Sequence, residues 1–501
     1  MSESNHTTEQ ATVPLLTPSP KDNNIVHYAE SPTFEYDVIV VGGGVAGAAL
    51  AYALGTDGRK VLMVERDLSQ PDRIVGEFMQ PGGIEALKRL GLESTLQDID
   101  GIMAQGYVVC YEGKQVLLQY PQHPTTGKPY RGISFHHGRF VSNLRQAAKG
   151  LDNVTVQQGT VNQLIEDPEW GRVVGVTYTP SPSQRQDATD QKPSASPTPV
   201  FAPITVVADG GSSKFRNSYL TLQPKGHSQF YGFIMQDCTL PAPNHGHVIL
   251  SKIAPVLMYQ IDTHETRVLV DVPNNVRKEY NNDVRKYLTE VVLPDIPEVL
   301  QAKFVEGLET SRLRYMPNRF LPTSQNGQDG LIFLGDALNM RHPLTGGGMT
   351  VALWDVVHLK QLLAPDMVPS LRDTHTVLAQ LQTFYWQRKS RSSAINILAQ
   401  ALYQLFSAQD DPDLRVLRQA CFDYFQLGGT CVSTPVGLLG GIYSSPLLLM
   451  YHFFAVVLYG MFCFLCSSSS PWAFVCNLAR SVSVLWMGCK VFLPLLWTEI
   501  C

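Results

Sequence analysis

Residues 36–41 (YDVIVV) form a short β-branched apolar run that passes directly into Gly42-Gly43-Gly44-Val45-Ala46-Gly47. A helical stretch follows over 48–54, then a second apolar run over 59–64 ending in Glu65. Strand, GxGxxG, helix, strand and acid in that order make the full dinucleotide-binding fingerprint, and commit this part of the chain to a β-α-β unit on a parallel sheet. The glycines, Gly42, Gly44 and Gly47, permit a tight turn and close approach of backbone to a pyrophosphate. The helix N-terminus supplies aligned N–H groups and the positive end of a dipole. Glu65, 21 residues beyond Gly44, is placed to accept from an adenosine ribose hydroxyl.

A second glycine-rich segment narrows the choice of dinucleotide. Residues 331–334 (LIFL) read as a buried strand ending in Gly335-Asp336-Ala337, and Thr345-Gly346-Gly347-Gly348-Met349 opens a helix through Leu363. A second acid beside a second helix start suits a long cofactor gripped at both ends, whereas an NAD domain normally finishes within its own sheet. Asp336 is placed to bond a ribityl or ribose hydroxyl, and the dipole at Gly347, Gly348 and Met349 to stabilise negative charge on a reduced isoalloxazine. The cofactor indicated is FAD.

Between these segments, Val207-Ala208-Asp209-Gly210 ends a strand and Phe135-His136-His137-Gly138-Arg139-Phe140 leads into a helix. The His136-His137 doublet lacks metal-ligand spacing and reads as structural, so no metal site is expected. Residues 180–203 are a Pro-, Ser-, Thr- and Asp-rich insertion between two strands and read as a disordered surface loop. Residues 220–325 alternate strand-like runs with turns, as a second, sheet-rich domain. From 384 to 425 the pattern turns helical, with Leu398, Leu402, Leu405 and Phe406 on one stripe and Phe422 and Phe425 on the next helix. A core face is the plainer reading of that stripe.

Composition decides most at the C-terminus. No Asp, Glu, Lys or Arg occurs between Tyr424 and Ala479, and beyond that only Arg480, Lys490 and Glu499 are charged. Residues 447–466 carry His452 as their one imidazole and match the ~20 apolar residues a helix needs to cross ~30 Å of hydrocarbon. Residues 473–497 include Arg480, Lys490 and Pro494, and read better as a helix lying partly in the interface with its cations snorkelling to headgroups. Residues 467–471 (SSSSP) supply the turn between them. Two buried helices of a soluble core are the competing reading.

Residues 1–35 are polar and contain no apolar segment of signal-peptide type, which puts membrane attachment at the C-terminus and the preceding chain in the cytosol. Nine scattered cysteines, an odd number, agree with a reducing compartment, and Cys463 and Cys466 lie in an apolar helix without a second pair. Over all 501 residues, 39 Lys plus Arg stand against 44 Asp plus Glu, for a net charge of -5. With no basic block in that balance, a nucleic-acid partner is excluded.

One family accounts for these motifs together. Glu65-Arg66-Asp67, the run Pro71-Asp72-Arg73-Ile74-Val75-Gly76-Glu77-Phe78-Met79-Gln80-Pro81-Gly82-Gly83, His137-Gly138-Arg139-Phe140, Val207-Ala208-Asp209-Gly210 and the stretch from Gly335 through Asn339-Met340-Arg341-His342-Pro343 to Met349 resemble the squalene monooxygenase (squalene epoxidase) family. The resemblance runs from about residue 36 to the C-terminus. The GxGxxG, DG and GD motifs are shared with flavin monooxygenases at large, whereas residues 75–83 and 339–349 are far more specific. The long 180–203 insertion, and an N-terminus without the hydrophobic hairpin of vertebrate forms, point to a fungal-type member.

The resemblance implies an α/β fold: a GxGxxG Rossmann-like FAD domain of the para-hydroxybenzoate hydroxylase type, an interleaved β-sheet substrate domain and a C-terminal hydrophobic helical membrane region. The expected division is a disordered polar N-terminus (1–35), FAD-binding domain (36–220, with the disordered insertion), β-rich substrate domain (221–325), second FAD-binding part (326–383), helical substrate-channel region (384–446) and membrane helices (447–501). It implies epoxidation of squalene to (S)-2,3-oxidosqualene by dioxygen in ergosterol-type sterol biosynthesis. FAD would be met by Val45, Ala46, Glu65, Arg66, Arg73, Arg139, Val154, Asp209, Asp336 and Met349. Gln80 and Tyr107 resemble the family's hydrogen-bonded pair beside the flavin, and Leu402, Phe406, Phe422, Phe425, Pro435, Leu438 and His452 match its substrate-channel positions.

Oxygen transfer from reduced flavin and dioxygen to an electron-rich alkene needs no nucleophile, metal or strong base. It needs the alkene held close and water kept out. No second nucleotide fingerprint serves NADPH, so electrons are expected by transient NADPH contact or, as the family suggests, through the NADPH-cytochrome reductase. The expected location is the endoplasmic reticulum membrane with the catalytic domain cytosolic, microsomal membrane and lipid droplets being further locations, and membrane lipid a partner. Two alternatives stand: a paralogous flavin epoxidase acting on another polyprenyl or terpenoid chain, and a non-catalytic prenyl carrier with a flavin fold.

Overall fold

The computed structural model describes residues 16–20, 22–181, 197–407, 411–466 and 470–500. Its first layer is a nine-stranded sheet whose centre is five parallel strands, in the order Val154–Glu166, Val61–Glu65, Val38–Val41, Ile204–Val207 and Leu331–Phe333. Strands covered on both faces read as continuous apolar runs, and VIVV, ITVV and LIF are buried at every position. The helix Val45–Thr56 lies on this sheet and is buried along most of its length by small residues, Ala48, Ala49, Ala51 and Ala53 among them. Its close approach depends on Gly47, where a Cβ would stand 1.9 Å from the Gly42 carbonyl oxygen.

The second layer is a seven-stranded, mostly antiparallel sheet in the order Arg314–Phe320, Lys225–Gln236, Glu265–Pro273, Pro255–Gln260, His245–Leu250, Gly106–Tyr111 and Lys114–Gln119. A three-stranded sheet of Phe78–Met79, Gly132–Ser134 and Ile102–Ala104 lies apart from both.

Three sequence boundaries need correction. Residues 106–119, expected inside the first FAD-binding part, join the seven-stranded sheet, because Glu112 and Gly113 adopt positive φ (48° and 74°) and close a tight hairpin. The polar N-terminus is not wholly disordered: Ile25–Tyr28 pairs parallel with Val154–Glu166, and Val26 and Tyr28 bury against Ile165 and Val174. Within 180–203, Thr198–Phe201 pairs antiparallel with Val173–Pro180 and buries Val200. The rest of that expected loop, residues 182–196, lies outside the described residues, as do residues 1–15 and 467–469.

The helix Thr374–Phe406, 33 residues and about 50 Å at 1.5 Å per residue, leads away from the first layer. Against it pack Pro412–Gln426, Thr430–Leu439 and two long apolar helices, Pro446–Cys466 and Pro471–Ile500. Both of the last two are long and apolar enough to cross a membrane. Their inner faces bury Leu449, Val491, Phe492 and Leu495 against Ala394, Ile397 and Leu398. Leu447, Tyr451, Phe462, Trp472, Trp486 and Trp497 point outward, each more than half exposed.

Candidate active site

The two glycine-rich segments line one cavity of about 1210 Å³ between the layers. Gly42, Gly44, Val45, Ala46, Glu65, Arg66 and Arg73 border it at one end, and Asp209, Asp336, Gly348 and Met349 further along. Tyr107 reaches it from the seven-stranded sheet. Gly44, Gly210 and Gly348 have only open space where a Cβ would stand, so backbone faces the cavity at three separate loops.

Two arginines that no local pattern marks hold these loops. Arg145, on the helix His137–Lys149, donates from Nε to the Gly43 carbonyl (2.7 Å) and from Nη1 to Ser69 (3.0 Å), and its Nη2 stands 3.7 Å from the Glu65 carboxylate. Glu65 in turn accepts from the Gly43 N–H at 2.6 Å. Arg216 is buried and donates to four carbonyls: Ala337 (2.9 Å), Asp336 (3.0 Å), Gly211 (3.1 Å) and Gly210 (3.2 Å). It ties the strand-end turn at Asp209-Gly210 to that at Gly335-Asp336.

These surroundings fit FAD. Asp209 Oδ1, Arg341 Nε and Thr345 Oγ1 are buried without a hydrogen-bond partner in the protein, and all three residues line the cavity. Burial raises the Asp209 carboxyl above its usual range. A ligand rich in hydroxyls and phosphate oxygens would pair such groups, and the helix starts at Val45 and Gly348 present N–H groups to its anionic portion.

Gln80 sits behind the cavity wall, fully buried. Its Nε2 donates to the Thr345 carbonyl (2.6 Å) and to the Tyr107 hydroxyl, and its Oε1 accepts from the Tyr120 hydroxyl at 2.6 Å. The Tyr107 ring stacks on Phe78, centroids 5.5 Å apart, and stands edge-on to Tyr120 at 6.0 Å. Burial pushes the Tyr107 phenol up to about 12 and raises Tyr120 well above the ordinary value, so both are protonated at neutral pH. The strand bearing Phe78 is anchored by the buried ion pair between Glu77 and Arg267, bidentate at 2.8 and 2.9 Å.

Not every expected site residue reaches the cavity. Arg139 donates to the Ile99 carbonyl at 3.2 Å, 3.8 Å from Asp100, because its place on the helix turns it outward. Val154 is buried where its strand starts beside Val61, against Gly55. Gly47 and Gly347 serve close packing, a Cβ on Gly347 standing 2.4 Å from Ile395. His136, read as structural, bridges the layers, with Nε2 3.0 Å from Asp262 and 3.3 Å from Glu265.

The expected channel residues line no part of the cavity. Phe406, Phe422 and Phe425 belong, with Leu402 at its edge, to the same apolar cluster as Tyr107, Tyr120 and Phe78. Leu438 lies in the neighbouring cluster against the terminal helix. Pro435 is inside the helix Thr430–Leu439, and His452 Nδ1 is 2.9 Å from the Tyr424 hydroxyl. A continuous apolar body thus runs from Tyr107 to the terminal helices.

Two sheets enclosing a dinucleotide-sized cavity, with both glycine-rich loops at its rim, make a fold that flavin-dependent monooxygenases adopt. That fold is shared with p-nitrophenol 4-monooxygenase PnpA from Pseudomonas putida (TM-score 0.63, 18% identity, 82% of this chain and 98% of that one). It is also shared with PqsL, a probable FAD-dependent monooxygenase from Pseudomonas aeruginosa (TM-score 0.58, 21% identity, 75% and 97%). Within this class the sequence is more specific. The family model for squalene epoxidase matches residues 201–475. The squalene epoxidase erg1 of Aspergillus fumigatus is 46% identical over 92% of this chain and 93% of its own, that of Schizosaccharomyces pombe 41% over 93% and 99%, and the squalene monooxygenase of Mus musculus 44% over 93% and 78%. The chain belongs to the squalene epoxidase family.

Proposed function

We propose that this chain epoxidises squalene to (S)-2,3-oxidosqualene, inserting one oxygen atom of dioxygen, as a step of sterol biosynthesis. The observation that carries the reading is Tyr107: the residue borders the dinucleotide cavity and also belongs to the apolar cluster that extends to the terminal helices. FAD, when bound and reduced, supplies the electron pair that activates dioxygen. Everything else falls to the chain. Val45 and Ala46 offer N–H groups to the pyrophosphate, Glu65 and Asp336 accept from hydroxyls, and Arg66 and Arg73 stand near its charge. Gln80 and Tyr107 orient the reacting centre, and Phe78 and Leu344 help exclude water there.

Squalene in a bilayer is already in an apolar phase, so its transfer gains little from the ~0.8 kcal/mol per CH₂ that applies to transfer from water. Selection therefore rests on shape, in the apolar body that includes Leu402, Phe406, Phe422 and Phe425. Residues 36–105, 120–220 and 326–383 bind FAD, 221–325 with the 106–119 hairpin wall the substrate side, and 384–446 guide the hydrocarbon. The outward tryptophans of residues 446–500 meet lipid, at the endoplasmic reticulum membrane. Electrons come from NADPH through a membrane-bound reductase, since both glycine-rich segments serve one dinucleotide.

The test incubates purified enzyme, reductase and NADPH with squalene and, separately, with farnesylated aromatics. Epoxidation of squalene is expected. Turnover of the prenylated aromatics alone would transfer the chain to a paralogous terpenoid epoxidase, and flavin absorbance that bleaches with NADPH and reductase would exclude a non-catalytic carrier.

A further inference from the structure

The Gln80–Tyr107 pair has a third member, and hydrogen-bond arithmetic gives the set a direction. The Thr345 carbonyl can only accept, so the Gln80 atom 2.6 Å from it is the amide nitrogen. That places Oε1, an acceptor, toward Tyr120, whose single proton is committed to it at 2.6 Å. The second N–H of Gln80 goes to the Tyr107 oxygen. Tyr107 therefore accepts from Gln80, whose nitrogen has no lone pair to receive a proton in return. The Tyr120 oxygen lies 3.4 Å away, beyond the ~2.5–3.0 Å of an O–H···O bond. The Tyr107 proton thus has no acceptor among these partners, and the residue that carries it lines the cavity.

We propose that Tyr120 is a positioning residue: together with the Thr345 carbonyl it holds the Gln80 amide in one orientation, which leaves Tyr107 as a hydrogen-bond donor for the oxygen atom of the epoxide product. Tyr120 is held for this task. Its ring lies 3.2 Å from where a Cβ on Gly440 would stand, its hydroxyl 3.3 Å from that of Gly132, and its backbone N–H donates to Gln105 at 3.1 Å. Glycine at positions 132 and 440 leaves the phenol its seat. The proposal rests on the substrate reading above, and concerns a bond that only an oxygen-bearing ligand can receive.

The discriminating experiment is equilibrium binding of squalene, which has no acceptor, and of 2,3-oxidosqualene, which has one, to detergent-solubilised holoenzyme with oxidised flavin. Tyr120→Phe keeps the ring and deletes the hydroxyl. It is expected to raise the Kd of the epoxide about five- to tenfold and to leave that of squalene unchanged, at wild-type flavin content and melting temperature. Tyr107→Phe should have the same effect, and the double variant no more than either alone, because both act through one bond. If Tyr120→Phe loses flavin, Gln80→Met interrupts the same relay and must likewise weaken the epoxide alone. Equal weakening of both ligands, additive losses in the double variant, or an unchanged epoxide Kd would overturn the proposal. Wild-type enzyme that binds neither ligand overturns the substrate reading itself, and the proposal with it.

Discussion

Asn396 donates a hydrogen bond of 3.1 Å to the carboxylate of Glu499, so the last turn of the chain is joined to the polar cluster beneath the second flavin loop. Asn396 also donates to Asn339 Oδ1 at 3.1 Å, and that oxygen accepts from Arg341 at 2.7 Å. Arg388 lies in the same cluster, bonded to Asp355 at 2.9 Å. Sequence alone places membrane attachment in this tail; in the fold its end is also buried next to residues that border the cofactor cavity.

Glu499→Ala should therefore cost about 1–3 kcal/mol, the penalty of leaving buried donors unpaired, and deletion of residues 447–501 should yield protein that is aggregated or deficient in flavin. Flavin content and sedimentation of the purified proteins check both. A soluble, fully flavinated truncation would show that the tail is dispensable to the site.

Arg216 is expected to control cofactor retention without meeting the chemistry. Lysine cannot replace a planar guanidinium that serves four carbonyls, so Arg216→Lys should weaken FAD binding by about tenfold or more, given ~1.5–3 kcal/mol per charged hydrogen bond lost. Asp336→Ala, which removes the acid at the same turn, should release FAD as well. Fluorescence titration of apoprotein with FAD reads both, and full occupancy in either variant contradicts the assignment.

Acid should destabilise the fold through His137. Burial lowers its pKa from 6.5 to about 4, and its Nδ1 lies 2.9 Å from the Gly76 carbonyl, so the folded imidazole is neutral with Nδ1–H donating. The unfolded chain takes up the proton first. Its contribution is thus present above about pH 6.5 and is lost as pH falls toward 4, the loss reaching about 2 kcal/mol by pH 5. His247, likewise lowered to about 4 by burial, adds in the same sense. Denaturation midpoints at pH 7 and pH 5 should differ less for His137→Gln than for wild type; an equal difference would assign the acid sensitivity elsewhere.

Tyr107→Phe should keep FAD and stability but divert turnover. Deleting a hydroxyl worth ~1–3 kcal/mol at the reacting centre slows oxygen transfer by roughly 5- to 150-fold. Hydrogen peroxide per NADPH consumed should rise as epoxide falls, at equal flavin content. An unchanged ratio and rate would reduce Tyr107 to packing.

Both cofactor loops were legible because their signals are local: glycines, an acid and a helix start within a few residues of one another. The residues that hold them are not. Arg145 meets Gly43 across 102 positions and Arg216 meets Asp336 across 120, joined only when parallel strands align their ends. Tyr120 was missed because its partner Gln80 lies on another element, 40 residues away. Ile25–Tyr28 escaped notice because four residues carry little periodicity, and their burial comes from pairing with a distant strand. Arg139 and Val154 show the converse: a motif match assigns identity, while helix phase and strand position decide what a side chain faces.

If this chain places one atom of dioxygen on squalene, the oxygen of the epoxide comes from the gas and not from water. The most direct measurement supplies isotopically labelled dioxygen to purified holoenzyme with NADPH, reductase and squalene, and follows the label by mass spectrometry. A single labelled oxygen in 2,3-oxidosqualene is expected, with the label absent when labelled water replaces labelled dioxygen. Unmodified squalene beside continuing NADPH oxidation, or an oxygen derived from water, would contradict it.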